Sequence, residues 1–176
     1  LSSELLESIS EAGFLNPFPI QEAVIPLALT GVDIIGQAKT GTGKTLGFGL
    51  PILNNVHRGN GQPVALIVVP TRELGIQVAD EFSKLAGGKK LRVTAIYGGR
   101  PMEPQIAELK SGVDIVVGTP GRLLDLQRQG ALDLSKIKQL VLDEADEMLN
   151  MGFQEDIEEI LSHTPEEKNT WLFSAT

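Results

Sequence analysis

Apolar residues in this chain gather in six short runs: Val32–Gly36, Val64–Val69, Arg92–Tyr97, Asp114–Val117, Gln139–Leu142 and Thr170–Ser174. Each is rich in Val, Ile or Leu, as a parallel strand covered on both faces should be. Between and before them lie stretches that predict helices over Ser3–Ala12, Ile20–Ala28, Gly43–Asn54, Arg72–Leu85, Glu103–Ser111, Gly121–Gln127, Ala145–Asn150 and Gln154–Ser162. Strands that alternate with helices imply right-handed crossovers, hence an α/β fold with a doubly wound, mostly parallel sheet and helices on both faces. In such sheets ligands bind at the carboxyl ends of the strands. Arg58–Pro63 and Gly87–Lys90 are predicted as surface loops.

Composition narrows the class without naming a function. The 176 residues suffice for one core and one domain, spanning 1–176. No apolar run approaches the ~20 residues that cross a bilayer, and no signal peptide is visible, so no membrane partner is expected. With no Cys there is neither a disulfide nor a thiolate metal site, which fits a cytoplasmic protein. The chain begins at Leu1 and stops at Thr176 within a motif, so it is expected to be a piece of a longer protein.

Two segments carry chemistry. The first, AKTGTGKT, runs Ala38, Lys39, Thr40, Gly41, Thr42, Gly43, Lys44, Thr45 between a predicted strand and a predicted helix. Its glycines let backbone N–H groups curl around phosphate oxygens, and the helix N-terminus adds a positive dipole end. Lys44 then reaches the β- and γ-phosphates, and Thr45 offers a hydroxyl to Mg²⁺. Ala38 departs from the general phosphate-loop pattern, which has Gly there; taken alone, the segment could also be a turn that merely starts a helix.

The second segment follows the run Gln139–Leu142, where Asp143 and Glu144 emerge from the end of a buried strand. Carboxylates there are costly without a cation or donors. Asp143 is placed to hold Mg²⁺, and Glu144 to orient and deprotonate the attacking water. An acidic helix start is the alternative, since carboxylates stabilise a first turn.

With these residues in view, the chain resembles the DEAD-box ATP-dependent RNA helicases. The resemblance runs in order through GFLNPFPIQ at 13–21, AKTGTGKT at 38–45, PTRELGIQ at 70–77, Gly98-Gly99, TPGR at 119–122, DEAD at 143–146 and SAT at 174–176. Ala38 is the residue that family usually carries. The resemblance implies the first of two RecA-like domains, with ATP and Mg²⁺ as cofactors and RNA as substrate. It implies that Phe14 and Gln21 belong to the nucleotide site, with Gln21 reading adenine. That fits the chemistry, because a side-chain amide pairs one donor and one acceptor with adenine N7 and N6–H₂. Phe18 replaces the hydroxyl residue usual in the family, and the family's adenine-stacking aromatic would lie before Leu1.

A net charge of −8 argues against nucleic-acid binding in bulk. Local geometry supplies an answer. Pro70-Thr71-Arg72, Gly98-Gly99-Arg100 and Thr119-Pro120-Gly121-Arg122 each follow a predicted strand and open a helix, with Thr71 and Thr119 able to cap. Helix N-termini and glycine backbones bind phosphate whatever the global charge, and the three arginines add charge locally. Each turn alone is as well read as an ordinary strand-to-helix connection; the resemblance makes them RNA contacts, independent of base sequence. It also implies that Asp146 with Ser174 and Thr176 couples nucleotide state to RNA state, although Asp146 could equally cap a local turn.

The acidic residues Glu155, Asp156, Glu158 and Glu159 read as a solvated helix face. His57 and His163 read as surface residues, and Trp171 and Phe173 as core. The transition-state arginines of such motors come from a second RecA-like domain whose motifs are absent here, so this piece is expected to hydrolyse little ATP alone. A non-unwinding ATP-dependent RNA clamp would carry the same motifs, and a phosphotransferase would share the phosphate loop.

Overall fold

The computed structural model describes residues 2–11, 19–29, 31–37 and 44–175. The six predicted runs become β1 (Ile34–Gln37), β2 (Ala65–Val68), β3 (Val93–Ile96), β4 (Ile115–Gly118), β5 (Gln139–Leu142) and β6 (Asn169–Ser174). Every pairing is parallel, in the order β1-β6-β5-β2-β4-β3. The helices are α1 (Ser3–Glu11), α2 (Pro19–Leu29), α3 (Lys44–Asn55), α4 (Arg72–Ala86), α5 (Met102–Lys110), α6 (Pro120–Arg128), α7 (Ala145–Asn150) and α8 (Gln154–Ser162).

The strands divide their side chains between two cores, as their period of two requires. Ala65, Ile67 and Val69 join Ile115, Val117, Val141 and Phe173 under α1 to α4. Leu66 and Val68 join Val116, Leu140 and Leu142 under α5 to α8. The central strands β2, β5 and β4 are buried at all four positions, which is why they read as unbroken apolar runs. Trp171 and Phe173 are core residues as expected: the Trp171 indole N–H donates to Val32 O at 2.9 Å, and Phe173 lies 5.4 Å, ring to ring, from Phe48.

One predicted loop is corrected. Gly87–Lys89 is a 3₁₀ turn, closed by Lys90 in the left-handed region at φ 56°. The Lys89 ammonium donates to Leu53 O at 2.7 Å and Asn54 O at 2.9 Å, so the segment serves as a cationic cap on the last turn of α3. The stretch Arg58–Pro63 carries neither helix nor strand, as expected.

Candidate functional site

Because all six strands are parallel, their carboxyl ends share one edge, and the strand order sets what lies along it. Reading from the end of β1 at Gln37, which the segment 38–43 follows in the chain, the edge carries Ser174 at the end of β6, then Asp143–Asp146 after β5. It continues with Pro70–Arg72 after β2, Thr119–Arg122 after β4, and Gly98–Arg100 after β3. Among the described residues, Pro70–Arg72, Gly98–Arg100, Thr119–Arg122, Asp143–Asp146 and Ser174 therefore lie along one edge of the sheet. Neighbouring strands lie about 4.8 Å apart, so the ends of β1 and β5 are separated by about 10 Å, with β6 between them.

The readings for Phe14, Ala38, Lys39, Thr40, Gly41, Thr42, Gly43 and Thr176, and for the Lys44 side chain, lie outside the described residues. Their neighbours are placed. Thr45 is half-buried in the first turn of α3. Gln21 is buried in the first turn of α2, 4% exposed, and so is not an open helix-start residue. A methyl group on Gly47 of α3 would meet Ile20 O at 3.9 Å and Gln21 Cα at 4.0 Å, ordinary contact distances, so the start of α2 lies directly against α3 there.

Asp143 is 1% exposed, and its N–H extends the ladder by donating to Val68 O at 2.9 Å. Its charge is felt on α4: burial pushes the Glu81 carboxyl up, Gln77 and Lys84 pull against that, and Asp143 adds to the rise. A carboxylate such as Asp143 and a hydroxyl such as Thr45 both offer oxygen donors only. Mg²⁺ takes such donors and keeps its remaining positions for water and phosphate, so Asp143 and Thr45 fit that ion.

Asp143 and Glu144 turn the chain from β5 towards α7, with Glu144 in the unusual conformation. Glu144 is half-buried, with φ 52° and ψ 50°, a left-handed conformation that side chains other than glycine seldom adopt. Residues held so cost on the order of 1–3 kcal/mol and gather at working sites. Asp146 occupies the first turn of α7, which packs against β6. Leu142 is in register with Leu172, and Ser174, 8% exposed, closes β6 at the level of Glu144.

Across β2, β4 and β3 the three turns are bonded to one another. Thr71 caps α4, its hydroxyl accepting from Leu74 N–H at 3.2 Å. Thr119 has the backbone of an N-cap at α6, but its hydroxyl makes no cap bond, contrary to expectation. Its own N–H is drawn into the sheet, donating to Ile96 O at 3.0 Å, and Gly121 next to it is exposed. Arg72 is exposed with its guanidinium 5.5 Å over the Tyr97 ring.

Arg100 pairs with Glu108 at 3.0 Å, and Glu108 also accepts from the Thr94 hydroxyl. The Arg122 side chain is only 13% exposed and donates to Arg100 O at 2.8 Å, so it braces the neighbouring turn instead of standing free. Gln105 is fully buried and donates to Tyr97 O at 2.9 Å. Tyr97, Gln105 and Glu108 were not singled out from the sequence. A signal was present for Gln105: it shares the inward face of α5 with Leu109, four residues on, and an amide there needs partners.

The family model for DEAD/DEAH box helicases matches residues 18–176. The chain belongs to that family. It is 56% identical along its whole length to the DEAD-box ATP-dependent RNA helicase CshA of Streptococcus pneumoniae, covering 34% of that protein. It is 53% identical to CshA of Geobacillus kaustophilus, covering 38%. Among solved structures, a DEAD box protein from the hyperthermophile Methanococcus jannaschii shares 50% identity at a TM-score of 0.95, matched over all of this chain and 48% of that one. A hypothetical ATP-dependent RNA helicase from Sulfolobus tokodaii gives 43% and 0.92, with 51% of it covered. This DEAD/DEAH box chain thus spans about a third of the length of the curated relatives it matches. The fold expected from the sequence is the one these structures share.

Proposed function

We propose that the whole protein is an ATP-dependent RNA helicase that separates short duplexes locally, and that this chain is its first RecA-like domain. The observation that carries the reading is the order of turns along one edge. Asp143–Asp146 and Ser174 stand between the connection expected to hold phosphate and the three turns expected to hold RNA. A change of nucleotide state at one end has a short path to the other.

In this reading ATP lies over the β1 connection, with the Gln21 amide against adenine and Lys44 at the β- and γ-phosphates. Thr45 and Asp143 would hold Mg²⁺, whose positive charge would offset charge on the phosphate oxygens. Glu144 accepts the proton of the attacking water. Asp146, Ser174 and Thr176 relay the nucleotide state to the RNA side. RNA lies across Pro70–Arg72, Gly98–Arg100 and Thr119–Arg122, its phosphates met by helix N-termini and glycine N–H groups without reading bases.

Arg72 on Tyr97, Arg100 on Glu108 and Arg122 on Arg100 O are all engaged away from the nucleotide. The resemblance to the family assigns the transition-state arginine to a second RecA-like domain of the same protein. Removing such a group costs on the order of 10³–10⁵ in rate, so the isolated chain should turn over ATP that much more slowly than the whole protein. The cytoplasm is the proposed location. The test is ATP turnover by the full-length protein with and without single-stranded RNA, beside Glu144→Gln. Turnover that needs RNA and vanishes in the variant supports the reading; RNA-independent turnover, or an indifferent variant, refutes it.

A further inference from the structure

The turn between β3 and α5 is held at both ends by side chains outside the motifs' exposed residues. Tyr97 O, just before Gly98-Gly99, accepts from Gln105 Nε2 at 2.9 Å. Arg100 O, just after the glycines, accepts from Arg122 Nη1 at 2.8 Å. The two clamps meet, since Arg122 Nη1 also lies 3.5 Å from Gln105 Oε1. Between them Gly98 and Gly99 are exposed, and Gly99 takes φ +79°, a conformation that favours glycine. Tyr97, at one end of the clamp, also carries Arg72 on its ring.

We propose that Gln105 is a positioning residue for RNA binding: by fixing Tyr97 O and meeting Arg122, it sets the Gly98-Gly99 turn and the Arg72 and Arg100 guanidinium groups at one spacing. The inference rests on the RNA reading above and deepens it. Gln105 is fully buried and touches no phosphate itself. It acts because an amide offers a donor to one turn and an acceptor to the other, which neither an apolar side chain nor a carboxylate can do. The three turns then form a prearranged surface, and less ordering remains to be done when a strand binds.

The test uses the full-length protein, an unstructured oligouridylate and a non-hydrolysable ATP analogue, with affinity measured from 0.05 to 0.4 M salt. Gln105→Met keeps the volume and loses both bonds; Gln105→Glu keeps the acceptor towards Arg122 and loses the donor towards Tyr97 O. If the clamp positions Arg72 and Arg100, both variants lose one or two phosphate contacts. Each lost contact flattens the slope of log affinity against log salt by about 0.7 and weakens binding at 0.1 M salt about 5-fold relative to 1 M.

A purely structural role would lower the melting temperature and the active fraction but leave that slope alone. Folded variants with the wild-type slope therefore overturn the proposal. So does loss of the fold in both, which would make Gln105 a core residue first. Wild-type affinity that ignores salt would instead refute the RNA reading itself, and the inference with it.

Discussion

The two ends of this sheet use the same kinds of polar group to opposite purposes. At the amino end, Asp114 is 1% exposed and accepts from Gly59 N–H at 3.0 Å, Arg92 N–H at 2.8 Å, and Arg92 Nε and Nη2, both at 3.1 Å. Arg92 also donates to Gly59 O at 3.2 Å. Opposite, Thr170 N–H donates to Asp33 Oδ1 at 2.8 Å and ties the start of β6 to that of β1. At the carboxyl end, Gly98, Gly99 and Gly121 are exposed, α6 lacks a hydroxyl cap, and Glu144 is held left-handed. Saturated groups close the fold at one end, while groups left open or under strain at the other are available to a ligand. An arginine is thus no guide to RNA by itself: Arg92 is a fastening, and Arg122 a brace.

The comparison breaks if changes at the two ends have the same consequence. The largest effect expected is on turnover: Glu144→Gln should lower RNA-stimulated ATP hydrolysis by about 10²–10⁴-fold while the melting temperature hardly moves. Next is Asp114→Ala, which strands a partly buried guanidinium and should cost about 3 kcal/mol of stability in a urea titration. Turnover per folded molecule should stay at the wild-type value. A loss of specific activity there would mean that the amino end is not merely structural.

The same carboxyl gives a pH dependence. Burial pushes Asp114 up, but the Arg92 side chain, the Arg92 and Gly59 N–H groups and the Arg92 charge together outweigh it, leaving its pKa below the ordinary carboxylate value. A depressed folded pKa contributes stability that is present above the unfolded value, about 3.9, and is lost as pH falls through the folded one. Wild-type stability should therefore drop as pH is lowered below about 4, and Asp114→Ala should lack that component. Equal acid sensitivity in both proteins would remove Asp114 from the account.

Much of this division was readable beforehand, and the exceptions share a cause. β5 falls on the predicted Gln139–Leu142, and the other strands lie within one or two residues of their runs, because burial on both faces leaves an unbroken apolar signature. The acid pair and the three helix-opening turns were placed from local pattern alone. Strand order was not readable, since apolar runs do not say which neighbours they pair with. The burial of Gln105 and Arg122 was missed because it depends on bonds to Tyr97 and Arg100, eight and 22 residues away in the chain. The left-handed Glu144 was missed because nothing in Asp-Glu-Ala-Asp asks for a positive φ; glycine or asparagine would have.

That last residue yields the smallest effect and the sharpest form of the comparison. Glu144 sits at φ 52°, where a side chain meets backbone that glycine does not. Glu144→Gly should therefore abolish turnover as Glu144→Gln does, yet raise stability by up to about 1 kcal/mol, read as a higher urea midpoint at unchanged slope. Glu144→Gln keeps the Cβ and should keep the strain, so the two inactive variants ought to differ in midpoint. If they melt together, or glycine is the less stable, the left-handed turn is held without cost by its neighbours. The carboxyl end would then be open, but not strained.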